Sequence, residues 1–327
     1  MSNTYMVTGA MGCLGAWTIH NLLRQGEKVV AFDLSADPSR LKLLMSDEEI
    51  AQVPIEQGDI TDYETVERVV IGEGITHIIH LAALQVPFCK ANPILGAQVN
   101  VTGTVNVFEV AARHPAQVER VIYTSSAAVY GPAELYEPGP VPEDAPLAPA
   151  THYGVYKQAN EGTARIYAQD NGVTSIGVRP YVIYGLGRDR GVTSSPTKAM
   201  LAAALGRDYA ITYGGRCNFQ WGDDAANTLI ALAAVPFEGA RVINLGGSKV
   251  SVQEVVAAIE EVAPEMQGRI TFPETRLPFP DELDSATLKG LLPDAPETPL
   301  VDGVRATIEA FRSLVDQNRI DVENALA

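Results

Sequence analysis

The sequence predicts an α/β protein in which a doubly wound parallel sheet with helices on both faces is followed by a smaller C-terminal lobe. Three observations carry this prediction. Short apolar runs alternate with helix-length segments through about residue 185, the pattern of parallel strands joined by crossover helices. The run Ile75-Thr76-His77-Ile78-Ile79-His80-Leu81 is too apolar for a strand with one wet face and suits one buried on both. The first strand, from Tyr5, breaks at Thr8 into a turn with Gly9, Gly12 and Gly15, and a helix then runs to about Gln25.

The remaining elements follow in order. After Gly26, Lys28-Val29-Val30-Ala31-Phe32 reads as a second strand ending on Asp33. Leu34 to Pro38 is a loop, a short charged helix is expected around Arg40–Met45, and Val53–Glu56 is a third strand. Gly58-Asp59-Ile60-Thr61-Asp62 closes that strand and caps a helix at Tyr63–Val70. The fourth strand leads to Ala82-Ala83, whose small side chains leave room for something flat at its carboxyl end. A long helix is expected over Pro93–Arg113, with Asn100 inside it, and a fifth strand over Val118–Thr124, ending in Ser125-Ser126-Ala127. Pro132–Pro149 has the composition of an irregular surface loop. A helix over Tyr153–Asp170 and a sixth strand reaching Arg179 complete this half.

Beyond Gly185 the pattern changes. Leu186–Thr197 is a polar loop carrying Arg188, Arg190, Thr193, Ser194 and Ser195, and a helix runs from it to about Leu205. A short strand at Tyr209–Thr212, an irregular stretch Gly214–Trp221, a helix Asp223–Ala234 and a strand from Val242 come next. Ser251 and Glu254 make a capping box for a helix over Val252–Val262. A proline-rich stretch, 273–299, precedes an amphipathic helix over Val301–Leu314. Residues 1–185 are thus expected to form one domain, and residues 186–327 a lobe partly interleaved with it.

Strand, glycine turn, helix, strand and acid outline a Rossmann-type dinucleotide site. A helix N-terminus offers free N–H groups and the positive end of its dipole to a pyrophosphate. The glycines let the backbone approach the phosphates and the helix pack closely on the strand. Gly9, Met11, Gly12, Cys13, Leu14 and Gly15 are therefore expected to cradle the cofactor, with Asp33 and Leu34 beside the adenine ribose. A carboxylate at Asp33 accepts hydrogen bonds from both ribose hydroxyls and repels a 2′-phosphate, which favours NAD over NADP.

Composition narrows the rest. The chain has 327 residues, 46% of them hydrophobic, enough for a large core. A net charge of −16 argues against nucleic acid as a partner. Cys13, Cys89 and Cys217 are scattered and form no C-x-x-C, so neither a disulfide framework nor a zinc site is expected. His77 and His80 lie three apart in a strand and so point to opposite faces, which disfavours a metal pair; no metal is expected. The start, Met1-Ser2-Asn3-Thr4, shows no secretory pattern, and no apolar run approaches a membrane span, so a cytoplasmic protein without a membrane partner is expected.

A second constellation carries chemistry. Tyr153 and Lys157 are four apart at the start of a helix, so they share a face. A phenol titrates near ~10 and is a poor base at neutral pH. An adjacent ammonium and a positive nicotinamide favour the phenolate. Tyr153 is then expected to take a proton from a substrate alcohol as hydride leaves, with Ser126 holding the same oxygen and Lys157 also reaching the nicotinamide ribose.

The chain resembles the extended short-chain dehydrogenases/reductases, which hold nucleotide-sugar epimerases, dehydratases and several sugar or sugar-acid dehydrogenases. The resemblance rests on Thr8-Gly9-x-x-Gly12-x-x-Gly15, Gly58-Asp59-x-Thr61-Asp62, His80-Leu81-Ala82-Ala83, Asn100-Val101-Thr102-Gly103-Thr104, Thr124-Ser125-Ser126-Ala127-Ala128-Val129-Tyr130-Gly131, Tyr153-x-x-x-Lys157 and Arg179-Pro180. It implies that Asp59 and Ile60 contact adenine, that Leu81, Ala82, Ala83 and Tyr181 line the cofactor, and that Asn100 supports the active-site helix. It also implies a homodimer through a four-helix bundle made by the helices holding Asn100 and Tyr153.

Departures from that pattern bear on the substrate. Ser126-Ala127-Ala128 stands where dehydratases of the family carry Thr-Asp-Glu, which disfavours dehydration. Val182 stands where nucleotide-sugar members carry Asn, and Cys217 where they carry a diphosphate-binding Arg, with Arg216 displaced by one. A diphosphate lacking those donors is poorly held. The expected activity is NAD-dependent oxidation of a CH–OH group on a small sugar, sugar acid or polyol. Gln85, Ser125, Thr193, Ser194, Arg216 and Asn218 are the polar groups expected near that substrate. The alternative is a nucleotide-sugar 4-epimerase, of the UDP-glucose 4-epimerase kind, with NAD held throughout. A non-catalytic cofactor sensor on this fold is disfavoured by the presence of both Tyr153 and Lys157.

Overall fold

Tyr5, Met6 and Val7 are buried in a strand at the centre of the molecule. The structure, a computed structural model, describes residues 3–326; Met1 and Ser2, part of the chain start discussed above, and Ala327 lie outside the described residues. In chain order the strands are β1 (Thr4–Thr8), β2 (Lys28–Asp33), β3 (Ile55–Gln57), β4 (His77–His80), β5 (Arg120–Thr124), β6 (Ser175–Arg179) and β7 (Val182–Tyr184). They continue with β8 (Tyr209–Ala210), β9 (Arg216–Trp221), β10 (Ala240–Asn244), β11 (Ser248–Ser251) and β12 (Ile270–Thr271). The helices of the first half are α1 (Cys13–Arg24), α2 (Asp47–Ile50), α3 (Tyr63–Gly72), α4 (Val86–Ala91), α5 (Pro93–Ala97), α6 (Gly103–Arg113) and α7 (His152–Asn171). Those of the second are α8 (Ser195–Ala204), α9 (Gly222–Ala234), α10 (Val252–Val262), α11 (Ala286–Leu291), α12 (Leu300–Asp316) and α13 (Val322–Leu326).

The main sheet has seven parallel strands in the order β10-β6-β5-β4-β1-β2-β3. The order reverses between β1 and β4, so a crevice opens there at the strands' carboxyl ends. One face is covered by α3, α6 and α7 through a core including Val66, Val107, Phe108 and Tyr123. The other is covered by α1 and α9 through Ile19, Leu22, Leu229 and Leu232. A third core, under α8, α10 and α12, joins Leu201, Ile259 and Ile308 of the later chain to Trp17, Val129 and Tyr130.

The main sheet and most helices match the sequence expectation, and the differences have local causes. The irregular stretch expected at Gly214–Trp221 contains β9, the middle of a three-stranded sheet with β11 and β7. Its Arg-Cys-Asn-Phe-Gln-Trp run carries large apolar residues at only alternate positions, a pattern that the preceding Gly214-Gly215 obscures. β7 follows the Pro180-Tyr181 break and reads in the sequence as a continuation of β6. The helix expected around Arg40–Met45 is a single 3-10 turn, Leu41–Leu43, and a separate α2 follows, capped by Ser46 and Glu49 in a reciprocal box. The long helix over Pro93–Arg113 contains a π-helical turn at Gln98–Thr102, and α4 precedes it. The Ser251–Glu254 capping box is present.

A buried ion pair sets the register of α7 on the sheet. Arg179, at the end of β6, donates from Nε (2.8 Å) and Nη2 (2.7 Å) to the two oxygens of Glu161 on α7. The Ser125 hydroxyl, just beyond β5, donates to the same carboxylate at 2.5 Å. Nη1 of Arg179 reaches Tyr130 Oη and, at 2.9 Å, the carbonyl of Glu143 in the proline-rich loop. Tyr130 in turn donates to Asn244 Oδ1 at 3.0 Å on β10.

Breaking such a pair leaves an uncompensated buried charge, at a cost of about 3–5 kcal/mol. Arg179→Met is expected to lower unfolding stability by about that amount in urea titrations, and Arg179→Met/Glu161→Met to recover part of it. An unchanged midpoint in the single variant contradicts this assignment.

Candidate active site

The switch-point crevice is floored by the glycine turn. A Cβ on Gly15 would lie 2.2 Å from the carbonyl oxygen of Gly9, so only glycine lets α1 start this close to β1. Gly12 caps α1 without a side-chain bond, and the first turn holds no acidic residue. Those N–H groups and the helix dipole suit an anion. Asp33 accepts the Met11 N–H at 2.9 Å and the Ser35 N–H at 2.9 Å, which ties the second strand's end to the turn. Leu34 is exposed beside it. Across the crevice Asp59 accepts from Thr61, while Ile60 is buried against Gly103.

The β4 side is held by its own network. His80 bridges Thr8 Oγ1 (2.7 Å) and Thr104 Oγ1 (3.0 Å), and burial pushes its pKa down to about 3, so it stays neutral. The Leu81 and Ala82 N–H groups both lie 3.2 Å from Thr8 Oγ1, and Ala83 continues the loop. Asn100, inside the π-helical turn, accepts from the Leu84 N–H (2.7 Å) and donates to its carbonyl (2.9 Å). It thereby fixes the loop rather than pointing into the crevice. The loop after β7 covers the other side: Leu186 O accepts from Cys13 Sγ (3.6 Å) and Trp17 Nε1 (3.1 Å). Arg40 donates to Met11 O at 2.9 Å and grips Asp189 at 2.8 Å. Leu14 is half-buried, whereas Tyr181 is buried and donates to Pro280 O at 2.8 Å. The residues present fit a dinucleotide whose pyrophosphate sits at the α1 N-terminus.

Ser126, Tyr153 and Lys157 converge at the carboxyl end of β5. Thr151 caps α7 by accepting from Gly154 N at 3.0 Å. A Cβ on Gly154 would lie 2.1 Å from Ala128 O, so this glycine lets the first turn of α7 rest on the Ser126–Val129 turn. Ser126 Oγ accepts from Ala128 N at 3.1 Å and keeps its own proton to donate. Lys157 is buried, donates from Nζ to Thr124 O at 2.7 Å, and lies 5.7 Å from the Tyr153 ring centroid.

Burial opposes the phenolate at Tyr153, which the sequence expects the Lys157 ammonium and a positive nicotinamide to favour together. Burial raises the Tyr153 pKa, and the largest opposing influences are the Ser126 hydroxyl and the Arg188 guanidinium. Burial also pulls Lys157 down to about 8, so its ammonium is lost as pH rises through the mildly alkaline range. Without further positive charge Tyr153 is a neutral phenol.

The expected substrate groups separate into two sets. Gln85 caps α4 at the crevice, and Thr193 accepts from Arg188 Nη2 at 2.8 Å. Ser125 is instead committed to Glu161, and Ser194 donates to Gly191 O at 2.9 Å. Asn218 is fully buried and accepts from Leu283 N at 3.0 Å. Arg216 is exposed and bound by Glu282 (3.0 Å) and Glu254 (3.3 Å). Arg188, Glu161 and Tyr213 were not singled out from the sequence. The Arg179-Pro180 motif was a signal for a buried acid such as Glu161, whereas Arg188 looked like one of two similar loop arginines.

The comparisons with known proteins agree with this geometry. The model of the NAD dependent epimerase/dehydratase family matches residues 5–246. A UDP-glucose 4-epimerase of Neisseria meningitidis serogroup A is 36% identical over 165 residues, 48% of this chain and 45% of that protein. The chain thus spans less than half the length of the first curated relatives it matches. A UDP-glucose 4-epimerase of Mycolicibacterium smegmatis is 29% identical over 320 residues, 94% of this chain and 98% of that protein. The L-threonine dehydrogenase of Clostridium difficile shares the fold, with a TM-score of 0.82 at 20% identity over 95% of this chain and 98% of that one. With the glycine cradle, Asp33 and the Ser126, Tyr153 and Lys157 cluster in place, the chain belongs to the NAD dependent epimerase/dehydratase family.

Proposed function

We propose that the protein oxidises a CH–OH group of a small polyhydroxy substrate (a sugar, sugar acid or polyol). The observation that carries this reading is the state of the positions where a diphosphate would be gripped. Arg216 is neutralised by Glu254 and Glu282, Asn218 is turned inward onto Leu283, and Val182 is buried in β7. A nucleotide sugar would find Arg216 already matched by two carboxylates in exposed, individually weak pairs, and no free donor at Asn218 or Val182. The second reading is a nucleotide-sugar 4-epimerase with tightly held NAD. It is supported by the likeness to the Mycolicibacterium smegmatis UDP-glucose 4-epimerase over 98% of that protein.

NAD, when bound, supplies the hydride acceptor and a positive ring. Ser126 donates to the substrate oxygen and holds it against Tyr153. Tyr153 accepts the alcohol proton as the C–H bond gives up its hydride, leaving a carbonyl. Lys157, fixed by Thr124 O, would orient the site and hold the nicotinamide ribose. His80 and Asn100 position the β4 loop without exchanging protons. A cytoplasmic location belongs to this reading and is supported by the free thiols at Cys13, Cys89 and Cys217. A homodimer is supported by Phe88, Ile94, Leu95, Val155 and Ile166, which are exposed on α4, α5 and α7.

Three outcomes check this reading. Tyr153→Phe is expected to lower turnover by at least about 100-fold while NAD still binds, measured by NADH absorbance and by calorimetry. Because burial raises the Tyr153 pKa, the unprotonated phenol grows with pH, so wild-type NADH formation should rise from neutral to alkaline pH. Near-normal turnover in Tyr153→Phe sinks the mechanism. In sedimentation experiments the protein should run at twice its monomer mass, and Ile94→Glu/Leu95→Glu at the monomer mass. A wild-type monomer rules the dimer out.

A further inference from the structure

The loop over the crevice leaves unpaired polar groups at one place. Arg188 Nε, Gln85 Oε1 and Tyr213 Oη are each buried without a hydrogen-bond partner. Two of them frame a common point: a Cβ on Gly191 would lie 2.4 Å from Gln85 Oε1 and 3.5 Å from Arg188 Nη2. Gln85 stands at the start of α4, directly beyond the β4 loop that Asn100 fixes, so Arg188 is folded over the carboxyl edge of the sheet. Among the described residues no carboxylate pairs with Arg188; its only side-chain bond is to Thr193. Its neighbour Asp189 is occupied by Arg40, with contacts to both oxygens. An Arg without a counter-ion at the mouth of a site is notable in a chain of net charge −16. The Arg188 charge also reaches both Tyr153 and Tyr213, since it lowers the pKa of each phenol against the larger effect of burial.

We infer that Arg188, with Gln85 and Tyr213, forms a carboxylate-binding subsite beside Tyr153, so that the substrate is a hydroxy acid. The inference rests on the oxidoreductase reading above and names the substrate class for the same site. The free groups match that class in both senses. Arg188 Nε–H and Tyr213 O–H donate to a carboxylate, and Gln85 Oε1 accepts from a neighbouring hydroxyl. A nucleotide-sugar diphosphate fits less well. It lies across the sugar ring from the oxidised C4, whereas Arg188 is close enough to act on the phenol that takes the proton.

The experiment is calorimetry on NAD-saturated wild type, Arg188→Gln, Arg188→Lys and, as a charge control on an exposed neighbour, Arg190→Gln. The probes are D-gluconate and D-glucuronate against D-glucitol and D-glucose, with UDP as the diphosphate arm. The acids are expected to bind at least about 10-fold more tightly than the neutral partners. Arg188→Gln should weaken the acids by about 10- to 100-fold, Arg188→Lys by less, and Arg190→Gln should match wild type. Equal affinity for acids and neutral partners, unchanged acid binding in Arg188→Gln, or no acid binding up to about 10 mM overturns the subsite. Loss of UDP binding in Arg188→Gln overturns the carboxylate assignment in favour of a diphosphate. Arg188-dependent acid binding with no NADH from any acid leaves the subsite and sinks the oxidoreductase reading. NADH from neutral polyols, undiminished in Arg188→Gln, does the reverse.

Discussion

The contact between Arg179 and Glu161 is the constraint from which the site's geometry follows. Glu161 lies four residues beyond Lys157 and eight beyond Tyr153 on α7, so its position on the sheet sets theirs. The same carboxylate receives Ser125, the residue before Ser126, so Ser126 and the Tyr153–Lys157 pair are referenced to one charge. Through Tyr130 and Asn244 the network reaches β10, which is contributed from beyond residue 185. Asn244 also donates to Val141 O and Asp284 O, which ties the proline-rich loop and the later chain to the same anchor. Such a buried pair contributes little net stability against an apolar substitute. Its role here is to fix which arrangement of α7 is adopted.

The glycine cradle depends on a different constraint, the close approach of backbones. Gly15 and Gly154 act alike at opposite ends of the crevice. The first lets α1 reach the cofactor turn, and the second lets α7 rest on the turn carrying Ser126. The loop after β7 then meets α1 through Trp17 and Cys13 and meets Arg40 through Asp189. Cofactor and substrate elements are thus joined at the α1 N-terminus, and the same loop carries Arg188.

Much of this was legible in the sequence because it rests on local rules. The alternation of apolar runs and helices gave the sheet, and the spacing of Gly9, Gly12, Gly15 and Asp33 marked the cradle. Tyr153 and Lys157 shared a face by helical periodicity alone. What was not legible depended on partners distant in sequence. β9 was disguised by its flanking glycines, and the pairing of Arg216 with Glu254 and Glu282 needed β11 and the proline-rich stretch in place. The burial that raises the Tyr153 pKa is likewise set by residues packed around the phenol from distant parts of the chain. Arg188 and Arg190 were indistinguishable as loop residues, and only folding buries part of one and leaves the other exposed.

Whether hydride leaves the enzyme separates the two readings of the family chemistry. Both use Ser126, Tyr153 and Lys157, but an epimerase returns the hydride to the same substrate. The most direct measurement is NADH absorbance with NAD and a panel of free sugars, aldonates, uronates, polyols and nucleotide sugars. The account predicts NADH far in excess of enzyme with a free carboxylic acid of the panel. Epimerised nucleotide sugar without net NADH, and no NADH from any free compound, would contradict it.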